Sequence, residues 1–203
     1  MQRFDRISGS YDFLAKLVFG KNLERAKNVF LDTIDERKNV LIIGGGTGAT
    51  LEYLDKLSRE IKVDYVESSA GMMHKAQQRS LQFVKATFYK EPIEEFNKVG
   101  YDVIITEFFF DLFELPKIEL LMAHIVAMLK KGGKWIDTDF RPTNSAWHKI
   151  VLKSMIMFFK LTVQMSAKEL YDTKPLCINY NLNVKREASF MRGFVTSRLF
   201  CYD

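Results

Sequence analysis

An α/β fold, with an open and mostly parallel sheet covered by helices on both faces, is predicted by three observations. Short apolar runs without polar alternation recur along the chain, as strands buried on both faces require. Helical stretches fall between them, which builds right-handed βαβ units. The last two strand-like stretches follow one another across a tight turn, so they pair antiparallel and reverse the sheet's direction at its end.

In chain order, residues 11–34 read as helix. Leu14, Leu17 and Val18, then Leu23, Ala26, Val29 and Phe30, recur at three and four, with Gly20 dividing the two pieces. Residues 39–45 (NVLIIGG) form a continuous apolar run ending in glycine, the mark of a buried parallel strand. Helix 48–59 carries Leu51, Leu54 and Leu57, strand 61–67 follows, and helix 70–80 carries Met72, Met73 and Ala76. A third strand falls within 82–90, and residues 101–110 begin as a buried fourth. Helix 117–130 precedes a fifth strand at 134–140, and a long helix covers about 145–164 after Pro142. Strands at 177–187 and 193–202, separated by a turn at Arg192-Gly193, close the chain. No linker interrupts the pattern, so residues 1–203 read as one domain, with 1–34 as a helical cap.

Hydrophobic residues make up 47% of the 203 and charged residues 27%, which excludes a disordered chain. The net charge of +5 suits an anionic ligand or an acidic surface, but no run of five like charges forms a basic tail. The first residues, MQRFDRISGSYDF, lack the apolar core of a signal peptide. The longest uncharged run, residues 39–51, is too short for a membrane span and holds four glycines. Cys177 and Cys201 lack metal-ligand neighbours at Cys-x-x-Cys spacing, so no metal site is expected. A reduced, cytoplasmic enzyme is the expectation.

Gly44, Gly45, Gly46 and Gly48 flank Thr47 between a buried strand and a helix. Glycines there let the backbone turn tightly and approach a ligand, while the helix N-terminus presents free N–H groups. Glu67 ends the next strand 23 residues after Gly44, where a carboxylate can accept both hydroxyls of a ribose. A tight turn beside a surface glutamate would need no ligand, but the loop, strand and acid agree in position. Gly44, Gly46 and Ala49 also fit a dinucleotide fingerprint, so a nicotinamide-dependent oxidoreductase is a competing expectation. Against it, no Tyr is followed by Lys four residues later, and 203 residues leave no room for a separate substrate domain.

These residues resemble the class I S-adenosylmethionine-dependent methyltransferases, over most of the chain. VLIIGGGTG is similar to that family's first motif, and residues 67–73 (ESSAGMM) to its ribose-acid strand and following helix. Residues 101–105 (YDVII) resemble its fourth strand, and 129–134 (LKKGGK) the turn before its fifth. The segment FDRISGSYDFL is more weakly similar to the quinone-biosynthesis C-methyltransferase branch. The resemblance implies a Rossmann-like sheet with an antiparallel C-terminal strand and S-adenosylmethionine as cofactor. It implies cofactor contacts at Tyr11, Gly44, Gly46, Gly48, Glu67, Ser68, Met72, Pro92, Ile93 and Thr106. One position departs: the family's first motif has an acid two residues before its first glycine, holding the methionine amino group, and here Ile42 stands there. That departure motivates a further alternative, a cofactor-binding protein without catalysis.

Ligands of open α/β sheets sit beyond the carboxyl ends of the strands, which brings Glu107, Asp111 and the run Phe108–Phe109–Phe110 to the acceptor side. Glu107, Asp111 and His148 are the candidate catalytic groups; a histidine titrates near neutrality and suits base work. His124 and His74 read as structural or exposed. No Asn/Asp-Pro-Pro-Tyr tetrapeptide is present, which disfavours nucleic-acid base methylation. Helix 145–164 is apolar around most of its circumference, with Lys149, Lys153 and Lys160 on one face. Such a helix can roof a lipophilic acceptor, touch a membrane periphery or form a homodimer contact. A small, lipophilic or aromatic acceptor is therefore expected.

Overall fold

The computed structural model describes residues 20–145, 147–148 and 169–203. The expectations for Tyr11, for the first part of the N-terminal cap and for nearly all of helix 145–164 with its lysine face lie outside those residues, as do the membrane and dimer contacts built on that helix.

The described strands are β1 (Asn39–Ile43), β2 (Ile61–Val66), β3 (Val84–Tyr89), β4 (Tyr101–Glu107), β5 (Leu129–Phe140), β6 (Leu182–Phe190) and β7 (Val195–Tyr202). The helices are α1 (Asn22–Asn28), α2 (Ala49–Lys56), α3 (Ala70–Gln77), α4 (Leu115–Met128) and α5 (Lys174–Asn179). The strands form one sheet in the order β3-β2-β1-β4-β5-β7-β6. The first five run parallel, and β7 lies antiparallel between β5 and β6. The mostly parallel, Rossmann-like sheet with a reversed C-terminal strand is thus present.

Alternation along β1 divides the core. Leu41 and Ile43 join Ile104, Trp135 and the α4 residues Ile118, Leu121, Met122 and Ile125 on one face. Val40 and Ile42 join Val63, Ile105, the α2 residues Leu51 and Leu54, and the α3 residues Met73 and Ala76 on the other. Strand side chains alternate with period two, so a strand packed on both faces must be apolar throughout.

The third strand, whose register the sequence leaves open, pairs Ile61 with Val84 through Val66 with Tyr89. Its entry is fixed by Asp55, whose Oδ1 accepts from the N–H groups of Gln82, Phe83 and Val84. Burial alone would raise that carboxyl; the three backbone donors bring it below the usual range. The expected strand at 177–187 is corrected: α5 occupies its start and β6 begins only at Leu182. Pro175 opens α5 in its first turn, where a missing N–H does no harm. Thr173, Leu176, Cys177 and Tyr180 recur at helical spacing, and the last three pack on the α4 core. Asn181, at φ 61°, ends the helix. The LKKGGK segment, expected as a turn, is a register break inside β5: Leu129 pairs with Tyr101 and pairing resumes at Lys134 with Val103.

No helix among the described residues is long and apolar enough to cross a membrane. α1 is held on the sheet by buried hydroxyls. Ser197 Oγ donates to the Ala26 carbonyl at 2.6 Å and accepts from Thr138 Oγ1 at 2.9 Å. Ala26 and Ser197 are both fully buried, so this bond sets where the next residue, Lys27, points. Ser197→Ala removes the nearer of two hydroxyls at that carbonyl, Thr138 Oγ1 lying at 3.5 Å, and is expected to cost about 1 kcal/mol of stability in urea unfolding. A variant as stable as the parent would show that packing alone seats α1.

Candidate functional site

The loop after β1 and the tip of β2 form one unit. Glu67 Oε2 accepts from Gly46 N–H at 3.0 Å and its Oε1 from Ser69 N–H at 2.7 Å. Ser69 in turn caps α3, its Oγ accepting from Met72 N–H at 3.3 Å. From below, the Tyr65 hydroxyl donates to the Gly46 carbonyl at 2.9 Å, and its ring fills the space a side chain at Gly45 would need. Arg79 Nε donates to the Thr47 carbonyl at 2.9 Å. Gly46 has φ 65°, and a Cβ built there meets only Met72 Sδ, at 3.8 Å, on the cavity side. Gly48 is glycine for another reason: at φ 82° it starts α2, and a Cβ would lie 2.9 Å from Ala76 Cα. Its role is close packing of α2 on α3.

Burial raises the Glu67 carboxyl above the ordinary range, opposed by the backbone donors. Tyr65 is raised too, by burial and then by the charges of Glu67 and Glu107. Backbone donors at Ser69, Gly46 and Ser68 share the two Glu67 oxygens, and an ionised carboxylate has about four acceptor sites, so a hydroxyl donor can still be received.

The cavity beside this unit has a volume of about 220 Å³ and lies at the carboxyl ends of β1, β2 and β4. One end is walled by the glycine loop, Glu67, Ser68 and Met72. The other is walled by Lys27, Glu107, Phe108, Phe109, Asp111, Leu112 and Phe113. Thr106 pairs with Ile43, so Glu107 stands level with the first glycine of the loop, on the side of β1 away from Glu67. Glu107 is 6% exposed; its Oε2 meets Lys27 Nζ at 2.8 Å and accepts from Thr50 Oγ1 at 2.6 Å. Phe108, at φ 51°, turns the chain out of β4, a conformation uncommon for an aromatic residue. Phe110 points inward, against Trp135, so the phenylalanine run divides between cavity wall and core.

Behind this second end lies a buried charge cluster. Asp139 Oδ2 accepts from the N–H groups of Phe110 (2.9 Å) and Asp111 (3.2 Å), and so fixes the turn that carries Asp111. Asp137 binds Arg141, Thr106 and Thr173. Burial pushes Asp111 up to about 7, against the pull of Arg141, and Asp139 well above its ordinary value, with Asp111 adding to the effect. Glu107 Oε1, Asp111 Oδ1 and Arg141 Nε and Nη1 are buried without a hydrogen-bond partner. Unmade bonds of this kind cost about 1–3 kcal/mol each, so their gathering at one place is a mark of function rather than of stability.

The structure therefore brings Gly44, Gly46, Glu67, Ser68, Met72, Glu107 and Asp111 to one cavity. It places the other expected residues elsewhere. Thr106 is fully buried, donating to Asp137 and accepting from Trp135 Nε1. Ile93 is core, and the loop of Pro92 and Ile93 is tied down by the His124 ring, which contacts the Ile93 and Phe96 carbonyls at 2.9 Å. His148 is buried, bonded to Thr143 Oγ1 at 2.8 Å and stacked on Phe194 at 4.6 Å. Lys27, Thr50, Tyr65 and Asp139 were not expected. They sit on other elements, and no spacing in the chain links them to the loop.

Residues 41–135 match the family model for the methyltransferase domain. That stretch, a little under half of the chain, is similar in sequence to methyltransferase domains. The chain is 28% identical over 127 residues to the carboxy-S-adenosyl-L-methionine synthase of Campylobacter fetus subsp. fetus, covering 62% of this chain and 50% of that protein. It is 25% identical over 140 residues to malonyl-[acyl-carrier protein] O-methyltransferase 1 of Ilyobacter polytropus, covering 68% and 51%. The matches thus span about half the length of these relatives. The fold is similar to that of magnesium protoporphyrin IX methyltransferase from Synechocystis, solved with SAH bound, at a TM-score of 0.67 and 14% identity, covering 98% of this chain and 95% of that one.

The folded chain binds the Asp111 proton more tightly than the unfolded one, so ionisation opposes folding and stability falls as pH rises from about 4 through about 7. Asp111→Asn, which cannot ionise, is expected to be more stable than the parent at pH 8 and to lose that advantage at pH 4, measured by urea unfolding at both values. A destabilisation at pH 8 would show that the Asp111 charge is held by its neighbours.

Proposed function

We propose that the chain is an S-adenosylmethionine-dependent methyltransferase acting on a small lipophilic or aromatic acceptor. The single observation that carries the reading is the Glu67 carboxylate bonded to the glycine loop at Gly46 and open to the cavity. The residues fit the cofactor: a glycine at positive φ in the cavity wall, and a carboxylate with an acceptor site left for a ribose hydroxyl. The cofactor supplies an activated methyl group on a sulfonium, so the protein's work is alignment and exclusion of water.

Glu67 and Gly46 hold the nucleoside, with Met72 against it. Phe108, Phe109 and Phe113 line the acceptor end, and an aromatic wall suits a flat or apolar acceptor. An acceptor hydroxyl or amine must lose a proton on methylation. Asp111 takes it, because it faces the cavity and is raised to about 7, near the optimum for base work around neutrality. His148 is already engaged with Thr143 and Phe194.

Calorimetry with S-adenosylhomocysteine and NADH tests the reading. The parent is expected to bind the former, and Glu67→Ala, which removes a charged acceptor, to bind it about ten-fold more weakly or worse. Binding of NADH alone would replace the reading with the nicotinamide one. Unchanged affinity in Glu67→Ala would remove Glu67 from the site.

A further inference from the structure

The family resemblance leaves one function without a residue: Ile42 stands where an acid would meet the cofactor's amino group. Ile42 is 1% exposed in the core between β1 and α2, so it contributes nothing polar. We infer that the Lys27–Glu107 ion pair is the receptor for the zwitterionic amino-acid end of the cofactor, Glu107 taking the α-ammonium and Lys27 the α-carboxylate. This rests on the methyltransferase reading above.

Position comes first. Glu67 and Glu107 lie on opposite sides of β1, on β2 and β4, and both line the same cavity. A ligand gripped at Glu67 and longer than a nucleoside therefore extends over the glycine loop toward Glu107. The second observation is an open valence. Glu107 Oε2 is filled by Lys27 and Thr50, while Oε1 is buried with no partner. Lys27 Nζ has three donors, and among the described residues its partner is Glu107.

Charge balance decides the chemistry of the occupant. The pair is neutral as a whole. A lone anion or cation would leave one buried charge uncompensated, whereas a zwitterion matches both and leaves the sum unchanged. Thr50 keeps Glu107 in place when Lys27 turns toward the carboxylate. Lys27 itself is delivered by α1, which Ser197 fastens to β7 through the preceding residue.

Three ligands separate these roles: S-adenosylhomocysteine, decarboxylated S-adenosylmethionine, which keeps the amine, and 5′-methylthioadenosine, which has neither charged group. Dissociation constants are measured by calorimetry for the parent, Lys27→Met and Glu107→Gln. Glu107→Gln is expected to weaken S-adenosylhomocysteine and the decarboxylated ligand about ten-fold and to leave methylthioadenosine unchanged. Lys27→Met is expected to weaken S-adenosylhomocysteine by a similar factor, and neither of the others. Methylthioadenosine affinity is also the control for folding. Equal losses for all three ligands, or no loss for S-adenosylhomocysteine, overturn the assignment. A parent that binds none of the three overturns the cofactor reading instead.

Discussion

Glu67 ties together two segments that packing alone would leave independent. Its carboxylate bridges the Gly46 amide of the loop after β1 and the Ser69 amide at the start of α3. Each bond has a carboxylate acceptor, and the one to Ser69 is short at 2.7 Å, so both are stronger than neutral ones when Glu67 is ionised. The loop is thereby set at a fixed height above the strand ends, and Tyr65 holds the same residue from beneath. The price is a carboxylate kept in a place that favours its neutral form. A chain with no ligand for this site would gain little from such an arrangement; one that must present acceptors to a ribose needs it.

The opposite end of the cavity follows a different logic. Glu107 leaves β4 and Asp139 ends β5, where parallel strands release their polar side chains above the sheet. Glu107 carries a cation, and Asp139 carries backbone amides that aim Asp111. Two carboxylates from neighbouring positions thus have their environments pushed apart. One is paired with a lysine, and burial raises the other above its ordinary value.

The sheet was legible because its information is local. A continuous apolar run with a glycine ending marks β1, the apolar core VII marks β4, and the acid at the tip of β2 follows from the spacing. What joins distant parts was not legible. Lys27 comes from a helix before the sheet and meets Glu107 eighty residues later in the chain; a single sequence records no such pairing. Thr106 was expected at the cofactor from the family resemblance. The hydroxyl faces sideways instead, into a bond with Asp137 and Trp135 from β5. α5 was hidden by the β-like look of CINYNLNV, because its short helix depends on Pro175 and on the α4 surface it covers. Tertiary packing, not propensity, decides such short elements.

The most direct test is a crystal structure of the chain with S-adenosylhomocysteine. A ribose hydroxyl is expected within hydrogen-bond distance of the Glu67 carboxylate, with the Gly46 amide still bonded to it. A nucleoside seated elsewhere, with Glu67 touching only its backbone partners, would contradict the assignment.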